Sequence, residues 1–104
     1  MHSKDAALEA ARSFITLMRQ GGLRISQAFM FGSYASGKPS EDSDIDVAVV
    51  SPDFTGFRFD DLGRIARFKI QACTDIEVHP FAEQDFTQDN PFAQLVKQSG
   101  LKIA

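Results

Sequence analysis

The chain has 104 residues, 43% hydrophobic and 24% charged, a composition typical of globular rather than disordered proteins. At this length one domain spanning 1–104 is expected, with one core and somewhat under ~70% of the unfolded surface buried. Eleven Lys and Arg against fourteen Asp and Glu leave a net charge of −3, which excludes the broad basic surface on which long DNA or RNA is held non-specifically.

The first nine residues carry charges and no apolar run, so neither a signal peptide nor a membrane span is expected, and the cytoplasm is the default address. His2, next to the terminus, carries no signal. Ser3 is placed to cap a helix whose apolar side repeats at Ala7, Leu8, Ala11, Phe14, Ile15 and Met18, the spacing of an amphipathic helix. Gly21-Gly22 ends it. A strand is predicted over 25–31, where Phe29, Met30 and Phe31 follow one another as they do when both faces of a sheet are covered. Gly32-Ser33 breaks that strand, and 34–42, with Ser36, Gly37, Pro39 and Ser40, reads as a short helical turn and a loop.

A second strand is predicted over 44–50. Beyond Ser51-Pro52-Asp53, the aromatic residues Phe54, Phe57 and Phe59 are expected to cover the sheet. Asp60 is placed to cap a helix that turns Leu62, Ile65, Ala66, Ile70 and Cys73 toward the core and Arg64, Arg67 and Lys69 toward water. Cys73 is the only cysteine, which excludes an intramolecular disulfide and a zinc site built from cysteines; it is expected to be a small core side chain. A third strand is predicted over 76–81. Asp89-Asn90-Pro91 opens a helix running to Gln98, and after Gly100 a short edge strand is expected over 101–103. This order predicts an α/β (α+β) fold, a small mixed sheet flanked by helices.

Asp44 and Asp46 alternate with Ile45 and Val47, so on a strand their carboxylates share one face. Two like charges side by side in an apolar segment repel, and burial disfavours both charged forms unless a cation neutralises them. Mg2+ is the leading candidate, being held by one or two carboxylates together with substrate phosphates. A solvated strand end is the competing reading. A calcium loop beginning at Asp42 fails at Val47, where glycine is needed. The Gly32-Ser33 turn follows a strand and opens a helical turn, which suits backbone N–H groups and a hydroxyl to an anion, although such a turn is common without one.

The stretch "GSYASGKPSEDSDID", residues 32–46, resembles the Gly-Ser and Asp-x-Asp signature of the polymerase β nucleotidyltransferase superfamily. In length and element order the chain is similar to that superfamily's minimal nucleotidyltransferase domains, the antitoxin type. The resemblance implies nucleotidyl transfer with two Mg2+ ions and ATP or another NTP. Asp44 and Asp46 would bind metal, and Gly32 and Ser33 the terminal phosphates. The third acid would come from "TDIEVHPF", with Glu77 preferred over Asp75 because it lies within the apolar alternation; the position is often Asp in the family, so Glu is a departure. His79 follows Glu77 by two on the same face; an ordinary surface or hydrogen-bonded histidine is expected there, with a donor that supports the metal-binding acids as the alternative. Lys38, Arg64 and Arg67 are expected on solvated faces, and Tyr34 in packing. Larger relatives carry an acceptor-holding domain, so here the acceptor is expected on another chain: a helical HEPN-type toxin, receiving AMP on a tyrosine. The alternatives are a nucleotide- or partner-binding module without turnover and a small-molecule nucleotidyltransferase.

Overall fold

In the computed structural model, which describes residues 2–39 and 43–104, the first helix starts where Ser3 accepts the Ala6 amide in its hydroxyl. This helix, α1 (Lys4–Gln20), buries Ala7, Ala11, Phe14, Ile15 and Met18 and ends at Gly21. Gly22 follows at φ +94°, a left-handed conformation that glycine adopts without a Cβ penalty. Next come β1 (Gln27–Phe31), the single turn α2 (Ser33–Ser36) and β2 (Ile45–Ser51). After them follow α3 (Arg58–Ala72), β3 (Ile76–Ala82), a 3-10 turn at Glu83–Asp85, α4 (Pro91–Ser99) and β4 (Leu101–Lys102). The predicted loop reaches Ser40 and Asp42, which lie outside the described residues, so only its part through Pro39 can be compared.

The strands form one mixed sheet in the order β3-β2-β1-β4. β1 is antiparallel to β2 and to β4, whereas β2 and β3 are parallel. Parallel neighbours need a crossover, and α3 supplies it. β3 is an edge strand in this order, which is where a strand proline such as Pro80 is tolerated.

Alternation divides the sheet's apolar residues between two clusters. On one face, Ala28, Met30, Ile45, Val47, Val49, Ile76 and Val78 pack with the buried sides of α1 and α3. On the other, Phe29, Phe31, Ala48, Val50 and Phe81 pack under Phe86, Ala93 and Val96. Both faces are covered, as the run Phe29-Met30-Phe31 requires. Asn90 caps α4 by accepting from the Phe92 and Ala93 amides, fixing the helix that closes the second face.

The structure corrects the reading of α3. The helix begins at Arg58 rather than at an Asp60 cap. Asp61, only 1% exposed, instead accepts from the Thr55 amide, the Thr55 hydroxyl and the Gly56 amide, tying the preceding loop to the first turn. The buried stripe is Asp61, Ile65 and Phe68, with Leu62 and Cys73 partly buried beside it. Ala66 and Ile70 face outward. Phe54 is buried, but Phe57 and Phe59 are 71% and 90% exposed and do not cover the sheet. Apolar residues lie on both sides of this helix, so its inward face was decided by packing against α1 and the sheet, not by local pattern.

Candidate active site

β1 ends, and β2 and β3 begin, at the same edge of the sheet. The register pairs Phe31 with Asp46 and Asp46 with Glu77, so two carboxylates from adjacent parallel strands sit laterally opposed on the α4 face. His79 is two residues further along β3 and points to the same face. Its Nε2 lies 3.2 Å from Asp46 Oδ1, a distance at which a protonated Nε2 donates to the carboxylate. One ligand atom each from Asp46, Glu77 and His79 lie within 4.8 Å of one another.

Aromatic packing holds the imidazole. Phe31 approaches it at 5.0 Å and Phe92 at 5.5 Å between ring centres, both edge-on. The side chains of His79 and Asp46 are 15% and 23% exposed, while Glu77 is exposed. The site therefore has a supported inner acid and an outer acid open to a ligand.

The turn after β1 closes against this pair. Gly32 has φ +76° and ψ −149°, a conformation essentially restricted to glycine, and a Cβ built on it would overlap Asp46 Oδ2. Backbone and carboxylate meet without a side chain between them. Ser33 opens α2, whose first internal bond runs from the Ser36 amide to the Gly32 carbonyl. The amides of Ser33, Tyr34 and Ala35 precede that bond, so the helix itself gives them no partner.

The predicted site residues are thus distributed unequally. Gly32, Asp46 and Glu77 come together, and Ser33 follows directly on Gly32. Asp44, expected inside the strand, is exposed one residue before β2 starts and is not among the three closely grouped ligand residues. The Asp75 carboxylate is engaged elsewhere, 2.8 Å from His2 Nε2. Arg64 donates to the Asp53 carbonyl, past the far end of β2, and Arg67 lies 4.5 Å from the Phe68 ring centre. Seven strand residues span roughly 20 Å, so Arg64 does not reach Asp46. Tyr34 is fully buried and packs, as expected. A cavity of about 300 Å3 between α3 and β3, lined by Arg58, Leu62, Ala66, Lys69, Glu77 and Val78, shares Glu77 with the acid pair.

His79 is more closely tied to the acids than its sequence setting implied. Its same-face spacing from Glu77 was visible, but the bond to Asp46 depends on the β2–β3 register. The donor set suits a hard divalent cation: Asp46 and Glu77 offer carboxylate oxygens, and His79 orients the first of them.

The sequence profile of the nucleotidyltransferase domain family matches residues 12–91. No curated protein matches the chain. Among solved structures, a candidate nucleotidyltransferase from Sulfolobus solfataricus aligns with a TM-score of 0.67 over 95% of this chain and 80% of that one, at 19% identity. A mutant of the toxin–antitoxin MntA–HpeT carrying two Asp-to-Glu substitutions aligns with a TM-score of 0.60, over 86% and 68%, at 22% identity. A toxin–antitoxin structure with AMP-PNP gives 0.63, over 88% and 70%, at 24% identity. These likenesses are of fold, the polymerase β-like nucleotidyltransferase fold. Among the described residues, no helix is long and apolar enough to cross a membrane.

Proposed function

The chain belongs to the nucleotidyltransferase domain family, and we propose that it transfers a nucleoside monophosphate, AMP from ATP, to a hydroxyl group of a partner protein. In this reading it acts in the cytoplasm as antitoxin to a helical HEPN-type toxin. The observation that carries the proposal is the meeting of the Gly32 turn with the Asp46 carboxylate, opposite Glu77. A turn able to receive phosphate oxygens lies directly against acids able to hold the cation that accompanies them.

Asp44, Asp46 and Glu77 would hold Mg2+, two ions in the full site, which when bound neutralise the triphosphate and stabilise the attacking and leaving oxygens of an in-line displacement. Gly32 permits close backbone approach to the terminal phosphates, and Ser33 adds a hydroxyl and an amide. His79 holds Asp46 in one orientation. Glu77, more open to solvent than Asp46, accepts the acceptor hydroxyl's proton. The hydroxyl oxygen then bonds to the α-phosphorus as the bond to the β-bridging oxygen breaks, and pyrophosphate leaves.

ATP is favoured because one fold relative was solved with AMP-PNP. A protein acceptor is favoured because two relatives are toxin–antitoxin structures. The net charge of −3 also disfavours a polynucleotide partner. Phe59 and Ile70, 90% and 70% exposed on the outer side of α3, provide apolar surface of the kind a protein partner covers.

The test is incubation of the chain with ATP labelled at the α-phosphate, Mg2+ and the product of the adjoining reading frame. Label on the partner, with release of pyrophosphate, is the expected result. A partner that binds stoichiometrically but never gains the label would reduce the chain to a binding module. Label on an aminoglycoside without any partner would instead point to a small-molecule transferase.

A further inference from the structure

A second group of metal-binding side chains shares no residue with the acid pair. His2, Cys73 and Asp75 each bring one ligand atom to within 4.8 Å of the others. His2 Nε2 is 2.8 Å from Asp75 Oδ2 and 3.9 Å from Cys73 Sγ. The residues come from the start of the chain and from the connection between α3 and β3, so the grouping is made by the tertiary fold. We propose that this is a site for a thiophilic divalent cation, Zn2+.

Ligand chemistry separates the site from the first one. A thiolate, an imidazole and one carboxylate select a borderline-soft ion over Mg2+. One cysteine cannot build a cysteine-rich zinc site, but a mixed Cys, His and Asp set leaves a fourth tetrahedral position for water. Zn–S near 2.3 Å and Zn–N or Zn–O near 2.1 Å imply ligand separations of roughly 3.6 Å between S and N and roughly 3.4 Å between N and O. The S···N distance of 3.9 Å needs to close by about 0.3 Å and the N···O distance of 2.8 Å to open by about 0.6 Å, within the reach of side-chain rotation. Zn2+ would bond to the sulfur as the thiol proton leaves to solvent.

The surroundings hold the ligands in place. The His2 amide donates to the Tyr34 hydroxyl, and Tyr34 is buried in α2 beside Ser33. Cys73, the C-cap of α3, has extended backbone at φ −169° and is half-buried against the core. The Asp75 carbonyl accepts from the Ile45 amide at 2.9 Å. A cation here would therefore clasp the start of the chain to the α3–β3 connection, next to the turn and the strand that carry Gly32 and Asp46.

Because Cys73 is the only cysteine, Co2+ substitution reads the site without ambiguity. The full chain, prepared without a polyhistidine tag and stripped with EDTA, is titrated with Co2+ in excess Mg2+. A thiolate-to-cobalt charge-transfer band saturating at one equivalent and displaced by Zn2+ is expected. It should vanish in Cys73→Ser and require at least about tenfold more Co2+ in His2→Gln and in Asp75→Asn. Absence of the band in the wild-type chain overturns the proposal. So does a band of undiminished affinity in both His2→Gln and Asp75→Asn, which would show a lone thiolate. Should Cys73→Ser fail to fold, the other two variants still decide the matter, since both alter exposed or half-buried side chains.

Discussion

Gly32 and Asp46 are packed so closely that residue 32 has no room for a side chain: the Oδ2 atom of the carboxylate occupies the space a Cβ would take. The backbone there, at φ +76° and ψ −149°, carries a further penalty of about 1–3 kcal/mol for any other residue. Gly32→Ala is therefore expected to lose stability by that amount and to push the Asp46 carboxylate aside. Urea unfolding and nucleotidyl transfer should both suffer. If transfer stayed at wild-type level while stability fell, the Gly32 turn would be structural only.

The acids differ in their support, and their substitutions should separate accordingly. Asp46→Asn and Glu77→Gln keep shape but remove charge, and each is expected to cut transfer by more than about 100-fold with an unchanged circular dichroism spectrum. Asp44→Asn tests whether an exposed residue outside the tight group still contributes. His79→Phe retains ring packing against Phe31 and Phe92 while deleting the bond to Asp46, and should cost about tenfold. A His79→Phe chain with full activity would remove the histidine from the site.

Much of this arrangement was legible because it rests on local signals. The Ser3 and Asn90 caps, the Gly21-Gly22 stop and the alternation around Asp46 each follow from chemistry within a few residues. That a third acid would come from the strand after α3 was implied by the resemblance, and period-two alternation only favoured Glu77 over Asp75 once a strand was assumed; the register sets it opposite Asp46. What stayed hidden depends on contacts distant in sequence. The closeness of Gly32 to Asp46 and the bond from His79 to Asp46 exist only once the strands are in register. His2, dismissed as terminal, meets Asp75 across 73 positions. On α3 the failure was different in kind: Phe59, Leu62, Ala66 and Ile70 make as plausible an apolar stripe as Ile65 and Phe68, and only the neighbouring elements choose between them.

Asp61 is the buried acid the sequence passed over, and its removal should be costly. Two donors from Thr55 at 2.8 and 3.0 Å and one from Gly56 at 3.0 Å would lose their acceptor. Asp61→Ala is expected to destabilise the fold by roughly 3 kcal/mol, lowering Tm by more than about 10 °C in a domain of this size. Asp61→Asn keeps one acceptor oxygen and should lose less. Equal losses for the two variants, read by thermal unfolding, would mean that charge rather than hydrogen bonding holds the loop.

At the far end of β2, Asp53 gives the fold a defined response to acid. Its carboxylate accepts from the Arg24 amide and guanidinium, and these bonds, with the charge of Arg24 adding to them, hold its pKa down at about 2 against an ordinary 3.8. The folded state therefore binds this proton less readily than the unfolded chain does. The stabilisation is complete above 3.8 and is lost as pH falls from there through about 2. Asp53→Asn should accordingly unfold at lower urea than wild type near neutrality, with the two midpoints converging on acidification. The Arg24 side chain is 72% exposed, so 1 M NaCl should shrink the neutral-pH gap. A gap that persists unchanged at pH 2 would trace the effect to the Asp53 packing or to the Ser51 hydroxyl that accepts its amide, not to the ion pair.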